Sequence, residues 1–275
     1  TAMRQRGLGW MLIGLSTVLG ILAFLYPFFL PAAQNMAMAG QAHVGDAPFV
    51  LSVLVGMCFA ATLVQAQAEA VGAKLVALLG ILVAVNSVLR FLDVSLPGPG
   101  GFSPIFTLIV LTGYVYGGSV GFLLGALTLL VSAMITGGIG PWLPYQMLSA
   151  GWIGLSAPLC AHLVHLAKWE DSPREVAVLT VFGSVWGLLF GAIMNVWFWP
   201  FATGPEPQYW EPGLLWTDTV KRYLVFYVAT SLWWDVWRAV GNGVLILVFG
   251  VPILRILRRF RRRFFFIYQP GGAVT

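Results

Sequence analysis

Long uninterrupted apolar runs are the feature of this sequence that most limits its fold. Each run covers about 20 residues, the length that an α-helix needs to cross the hydrocarbon core of a bilayer. The runs lack the alternation of apolar and polar residues that is typical of membrane β-barrels. Because backbone groups in lipid need hydrogen-bond partners within the protein, helices are the remaining choice. The sequence therefore predicts an all-α integral membrane protein.

The composition agrees, since 59% of the 275 residues are hydrophobic, 9% are charged and the mean hydropathy is +0.86. Arg4 and Arg6 precede a first run that is longer than the core of a signal peptide and has no cleavage site, so we expect it to be retained. Gly117 and Gly118 alone separate the fourth and fifth runs and predict a tight hairpin. We predict about eight transmembrane helices, at residues 10–30, 49–66, 74–92, 103–117, 118–136, 145–166, 176–200 and 222–256.

Positive charge predicts the orientation of the chain. Basic residues precede the first span, follow the sixth and form the RILRRFRRRF segment after the eighth. An even number of spans places them all on one side, which the positive-inside rule makes cytoplasmic, together with both termini. We expect the basic tail to lie on anionic lipid rather than to bind nucleic acid. The loops 93–104, 137–146 and 200–222 then face outward and form a mouth suited to a small molecule.

Polar residues inside the spans are costly and are usually paired or functional. Asp235 and Arg238 are three residues apart, so they share one helical face and can pair, and Asn242 extends this face. The pair could therefore serve as a structural ion pair or contact a ligand, and both interpretations stay open because the sequence does not give the depth of the pair in the membrane.

Glycines repeat every fourth residue on the fifth and seventh spans, where we expect close helix packing: Gly117, Gly121, Gly125, Gly183, Gly187 and Gly191.

The sequence offers little chemistry for an enzyme. No GxxxxGK[ST] motif is present for ATP hydrolysis, and Ser149 lacks the glycine two residues earlier that a GxSxG turn requires. His162 and His165 have no third metal ligand nearby, so we expect no metal site and no intrinsic cofactor. We expect Cys58 and Cys160, which lie in apolar runs, to be buried as small hydrophobic residues. An enzyme acting on a lipid would have only Asp235 as an acid or base.

The GGIGPWLPYQ stretch at residues 137–146 is unusual for a simple loop. Its glycines permit positive φ and close approach, its prolines stiffen the turn, and an interfacial aromatic belt explains Trp142 alone but not the whole stretch. The candidate walls of the mouth are aromatic or amide and suit a large, flat, largely neutral ligand: Trp142, Tyr145, Gln146, Asn195, Trp197, Trp199, Trp210, Trp216, Trp233 and Trp234.

Three motifs in order carry a resemblance to a known family. They are FSPIFTLIVLTGYVYGGSVGFLLGALTLLVSAMITGGIGPWLPYQMLSAGWIG, then FGSVWGLLFGAIMNVWFW, then WWDVWRAVGNGVLILVFGVPILRILRRF. The chain resembles the substrate-binding S component of energy-coupling factor (ECF) vitamin transporters over about residues 74–265. The resemblance implies a six-helix substrate-binding core at residues 74–265. An additional transmembrane hairpin at residues 1–66 would precede this core, and a short cytoplasmic tail at residues 266–275 would follow it.

The resemblance also implies function and partners. An S component binds one vitamin near the extracellular face, without catalysis, in the cytoplasmic membrane of a bacterium or archaeon. It assembles with a membrane T component and two cytoplasmic ABC ATPases. The family docks on the T component through small residues of its first core helix, which match Ala73, Ala77, Gly80 and Ala84. The candidate ligand-binding residues are Trp142, Tyr145, Gln146, Asn195, Trp199, Trp233, Asp235, Arg238 and Asn242.

The substrate stays open at this stage. Cobalamin, or another corrinoid, fits a large, flat ligand best among the vitamins that the family handles, and a pterin, a flavin or a thiamine-like ring is the alternative. A function of a different class is a non-transporting membrane subunit that helps to assemble a larger membrane complex.

Overall fold

The computed structural model describes residues 2–29, 42–67, 72–95, 102–202, 204 and 207–264. Within these ranges the long elements are α-helices, and a short 3-10 helix at Trp199–Phe201 follows the helix that ends at Phe198. The helices are α1 (Ala2–Phe29), α2 (Ala47–Gln67), α3 (Gly72–Ser95), α4 (Ile105–Tyr116), α5 (Gly118–Thr136), α6 (Leu143–Ser156), α7 (Pro158–Leu166), α8 (Pro173–Phe198), α9 (Trp216–Thr230) and α10 (Leu232–Phe264). The all-α prediction is confirmed. The predicted tail at residues 266–275 lies outside the described residues.

Seven helical segments of the described chain are long and apolar enough to cross a membrane, with α6 and α7 together forming one of them. The protein is thus a multi-pass membrane protein. The predicted fourth span is a helix of only 12 residues, α4, and its side chains from Ile105 to Val115 are all buried. Because other helices surround it, α4 needs no lipid contact to be stable as an apolar helix.

The predicted eighth span at 222–256 is wrong in its first turns. The chain breaks at Ser231, and the preceding residues belong to α9, in which only Phe226 is buried. The membrane-spanning segment begins at Leu232. Charged residues such as Lys221 and Arg222 lie on α9, so this helix is amphipathic and its sequence suits the membrane surface better than the hydrocarbon.

A tight turn joins α4 to α5, as predicted. Gly117 has φ 98°, a region that glycine enters without steric cost, and its N–H donates to the carbonyl of Gly113 at 3.0 Å. The next helices then pack very closely, since a Cβ at Gly121 would lie 2.5 Å from the carbonyl oxygen of Gly154. A Cβ at Gly125 would lie 2.3 Å from the carbonyl oxygen of Ala150. The predicted packing role is confirmed for Gly121 and Gly125, whereas a Cβ at Gly117 would have nothing within 4 Å and this residue serves the turn.

The glycines of α8 form a second close interface, with α10. A Cβ at Gly187 would lie 2.6 Å from Cα of Ala239, and a Cβ at Gly183 would lie 2.4 Å from the side chain of Ile246. Gly191, one turn further along, lies directly against the carboxylate of Asp235. Packing is thus confirmed for this helix too, and it brings the charged turn of α10 against α8.

The helices α1 and α2 form a hairpin that packs against α6. The ring of Phe24 lies 4.9 Å from that of Tyr145, and Trp152 Nε1 donates to Thr17 Oγ1 at 3.3 Å. The hairpin therefore lies beside the predicted core.

The charged residues near the end of α3 also have partners within the chain, since Arg90 forms a salt bridge of 2.6 Å with Asp93.

Ionic contacts close the bundle at what we call the arginine end. Arg258 of α10 contacts Asp171 at 2.7 Å and also contacts the buried Glu175 at the start of α8. Glu175 accepts a hydrogen bond from the hydroxyl of Tyr114, and Arg261 donates to the carbonyl of Val115. The opposite end, which we call the loop end, contains residues 42–46, 137–142, 199–202, 204 and 207–231.

Candidate ligand-binding cleft

A cleft of about 440 Å³ opens at the loop end between α6, α8 and the first turns of α10. Its volume lies in the range of about 300–1,000 Å³ that is usual for small-molecule sites. Five predicted ligand-binding residues line it: Trp142, Gln146, Asn195, Asp235 and Arg238. The other lining residues are Phe190, Gly191, Met194, Trp197, Phe198, Ser231 and Trp234. The cleft therefore combines aromatic, amide and ionic groups.

The loop before α6 supplies the first wall. Gly137 ends α5 with φ 69°, which confirms a positive φ at the first glycine of the stretch. Gly140 has a different role, since it lets the ring of Trp142 pack closely against the backbone. A Cβ at Gly140 would lie 2.4 Å from this ring. Trp142 Nε1 also donates to the carbonyl of Gly138 at 3.2 Å. The ring is thus fixed against the loop backbone, and Gln146 follows it on α6.

An ion pair forms the second wall. The side chains of Asp235 and Arg238 are 2% and 16% exposed, and they contact each other as their spacing predicts. Ser231 Oγ donates to Asp235 Oδ2 at 2.6 Å, and the guanidinium lies 5.4 Å from the ring centre of Phe190. Asp235 thus balances the charge of Arg238 and leaves part of the guanidinium open to the cleft. Such a group can donate hydrogen bonds to a ligand oxygen.

The third wall is one face of α8. Asn195 donates to Thr230 Oγ1 at 3.4 Å, and the indole of Trp197 lies flat against the imidazole of His43, with 5.7 Å between ring centres. Phe190, Met194 and Phe198 recur every fourth residue on this face. These three residues were not predicted, although the four-residue repeat of large apolar side chains is a signal that could have found them.

The other four predicted ligand-binding residues do not line the cleft. Tyr145 is fully buried behind the α6 wall. Trp199 lines a separate apolar cavity of about 400 Å³, and its Nε1 donates to the carbonyl of Gln208. Trp233 is 65% exposed on α10. Asn242 is buried between helices and donates to the carbonyl of Gly183 at 3.3 Å.

Other predicted features can also be located. Ala73, Ala77, Gly80 and Ala84 are all exposed on α3, and a Cβ at Gly80 would have nothing within 4 Å. Cys58 and Cys160 are buried free cysteines, as predicted. His165 contacts Glu170 at 2.8 Å at the arginine end. In the part of the chain that the structure describes, no group of three or more His, Cys, Asp or Glu side chains could hold a metal ion.

Comparison with known proteins agrees with this architecture. A family model described as "ECF transporter, substrate-specific component" matches residues 74–250. Comparison with curated protein sequences gave no significant match, and comparison with solved structures gave none either. The matched segment extends from α3 into α10 and contains every residue that lines the cleft. Because it covers more than half of the chain, the protein belongs to the substrate-specific components of ECF transporters.

Proposed function

We propose that the protein binds a vitamin or a related micronutrient in the cleft and delivers it to an ECF-type importer. The observation that carries the proposal is the cleft itself, which joins aromatic walls to a buried ion pair within the family-matched segment. In this proposal the loop end faces outward and the arginine end faces the cytoplasm, in agreement with the positive-inside rule. Both termini are then cytoplasmic.

The lining of the cleft favours a ring system with polar substituents. Trp142 and Trp197 offer surfaces on which a flat ring can stack, and the amides of Gln146 and Asn195 can pair with amides or hydroxyls at its rim. Arg238 adds a donor for a carbonyl or an acidic oxygen. Since about 440 Å³ is in the lower half of the usual range, a flavin, a pterin or a thiamine-like ring fits inside the cleft and is our first candidate. Cobalamin is much larger and would have to extend beyond the mouth of the cleft, so it is the second.

Energy for transport comes from partners in this proposal. A membrane T component and two cytoplasmic ABC ATPases would form the importer, and the chain itself would have no catalytic role. The exposed small residues of α3 support a docking surface, because small side chains let another helix approach closely.

Native mass spectrometry of the detergent-purified chain tests the proposal. The chain is measured alone and after incubation with cobalamin, riboflavin, thiamine and folate, and we expect a one-to-one complex with one of them. A bare chain that binds none of them, yet copurifies with other membrane subunits, would favour the assembly role instead.

Substitutions then locate the site. Trp142→Ala and Gln146→Ala should each weaken binding by about 1–3 kcal/mol, because each removes a ring contact or leaves a buried polar group unmatched. Trp233→Ala is the matched control, since Trp233 is a tryptophan of the same helix bundle that does not line the cleft. Equal losses in Trp233→Ala and Trp142→Ala would show that the cleft is not the binding site.

A further inference from the structure

A buried polar cluster lies directly behind the cleft, where the N-terminal hairpin meets the core. It contains Tyr26 of α1, His43 and Asp46 of the segment between the hairpin helices, Tyr145 of α6 and Trp197 of α8. The residues of the hairpin lie outside the family-matched segment, which begins at residue 74. The cluster therefore joins a part of the chain outside the family-matched segment to the part that forms the cleft.

The carboxylate of Asp46 is the centre of the cluster. Tyr26 donates to Oδ1 at 2.8 Å, and Tyr145 donates to Oδ2. His43 Nδ1 lies 3.0 Å from Oδ2 and 2.7 Å from the hydroxyl oxygen of Tyr145. Because the single hydroxyl proton of Tyr145 goes to Asp46, both contacts of His43 Nδ1 are satisfied when this nitrogen carries a proton and shares it between the carboxylate and the hydroxyl oxygen of Tyr145.

His43 is held in an uncommon backbone conformation. Its φ is 58°, in the left-handed region that costs an L-residue about 1–2 kcal/mol. Its side chain is fully buried among four aromatic rings, with 5.7 Å between ring centres to Trp197 and to Tyr26, 4.5 Å to Tyr145 and 4.8 Å to Phe201. The surrounding contacts fix the backbone despite the strain, and such strain concentrates at positions that serve a site.

The imidazole touches two walls of the cleft from behind. Its ring stacks on that of Trp197, at an interplanar angle of 18°, and Trp197 is also a lining residue of the cleft. Its edge contacts Tyr145, which on α6 is the neighbour of the lining residue Gln146. Nε2 of His43 and Nε1 of Trp197 are buried without a hydrogen-bond partner among the described residues. Stacking and shape, rather than further hydrogen bonds, thus set the position of the indole.

We propose that His43 is a positioning residue, through which the N-terminal hairpin sets the placement of Trp197 and of the first turn of α6 and thereby the ligand affinity of the cleft. The inference rests on the proposed function, since it assigns the hairpin a part in the same cleft. Residues 1–66 thus help to shape the site, although no residue that lines the cleft belongs to them.

The first test reads the cleft walls without any ligand. The full chain is labelled with 5-fluorotryptophan in detergent, and the ¹⁹F resonances of Trp197, Trp142 and Trp169 are assigned from the signals that Trp→Phe variants lose. His43→Asn is the informative change, because Asn tolerates a positive φ and can still donate to Asp46 but has no ring to stack. We expect the Trp197 and Trp142 resonances to shift by more than their linewidths and that of Trp169, at the arginine end, to stay.

A control variant distinguishes positioning of Trp197 by His43 from a general loosening of the contact between the hairpin and the core. Thr17→Val removes the hydrogen bond that Trp152 of α6 makes to α1, at nearly constant volume. It should leave the Trp197 resonance unchanged. Two results would overturn the proposal: the same shift of the Trp197 resonance in His43→Asn and in Thr17→Val, or no shift in His43→Asn. Either would show that His43 does not position Trp197 and serves only the packing of the hairpin.

The second test measures affinity for cobalamin, riboflavin, thiamine and folate. For whichever of them binds, His43→Asn should weaken binding at least fivefold while Thr17→Val leaves it unchanged. A shifted Trp197 resonance with unchanged affinity would overturn the proposed effect on the site. If none of the four binds to the wild-type chain, the proposed function fails, and the ¹⁹F spectra still decide whether His43 positions the two walls.

Discussion

The ion pair of the cleft gives a quantitative prediction about stability. Asp235→Ala leaves the guanidinium of Arg238 without its carboxylate, and it also removes the hydrogen bond from Ser231. The remaining interactions of Arg238 are a long contact of 3.4 Å to the carbonyl of Gly187 and the ring of Phe190. These are weak replacements, so the variant keeps a largely buried and unbalanced charge.

The expected loss follows from the burial of the pair. Removing one partner of a buried ion pair costs about 3–5 kcal/mol, because the other charge stays desolvated. Since Arg238 is 16% exposed and can reach water in the open cleft, we expect the lower end of this range, about 3 kcal/mol. Arg238→Met keeps the length of the side chain and should cost a similar amount. In the double variant no charge is left unpaired, so the two losses should not add.

A double-mutant cycle measures this directly. Unfolding of the wild type, both single variants and the double variant is followed by circular dichroism while SDS replaces a mild detergent in mixed micelles, without any ligand. We expect the double variant to be more stable than the sum of the single losses predicts, by about 1–3 kcal/mol. Additive losses would refute the reasoning, because they would show that the two side chains do not act as one buried pair.

Three further predictions concern the packing, the docking surface and the cluster behind the cleft. Gly125→Ala should destabilise the protein by about 1–3 kcal/mol in the same SDS titration, because its Cβ would meet backbone of α6, whereas Gly80→Ala should stabilise it by about 0.5–1 kcal/mol; equal signs would contradict the packing. Ala77→Trp should abolish copurification with the T component and leave vitamin affinity unchanged, and loss of both would mean that α3 only packs the core. Burial acts to raise the pKa of Asp46, but the hydrogen bonds from His43, Tyr145 and Tyr26 lower it overall from its usual value of 3.8. A carboxylate with a lowered pKa stabilises the fold fully at pH values well above its usual pKa and loses this effect as the pH falls through the lowered value. The stability difference between wild type and Asp46→Asn should therefore be constant above about pH 5 and narrow as the pH falls below 3.8. A difference that is constant over this range would show that the ionised form of Asp46 has no special role.

Most of the fold could be predicted because it depends on quantities that are local in sequence. Run length and hydropathy give the spans, and the three-residue spacing of Asp235 and Arg238 gives their pairing. The break at Ser231 was missed because the apolar run YLVFYVATSLWW continues through it. Hydropathy measures solvent preference and does not register a change of helix direction, so two helices were read as one.

The candidate site could be predicted only in part, since it depends on which side of each helix faces the cleft. Tyr145 precedes Gln146 by one residue, which is about 100° around a helix, so one faces the hairpin and the other faces the cleft. Trp199 was misplaced for a similar reason, because the 3-10 turn after α8 directs it to another cavity. His43 is a single histidine in a loop by sequence. Its burial results from contacts with α6 and α8 that no local pattern records.

The length of α10 determines how deep in the membrane a bound ligand would lie. Asp235 and Arg255 are 20 residues apart on this helix, which corresponds to about 30 Å at 1.5 Å per residue and equals the thickness of the hydrocarbon core. With Arg255 at one boundary of the membrane, the ion pair of the cleft lies at the other boundary, close to water. A solute that reaches the cleft has thus crossed almost none of the hydrophobic barrier. The proposed import must therefore still move the solute across most of the membrane thickness.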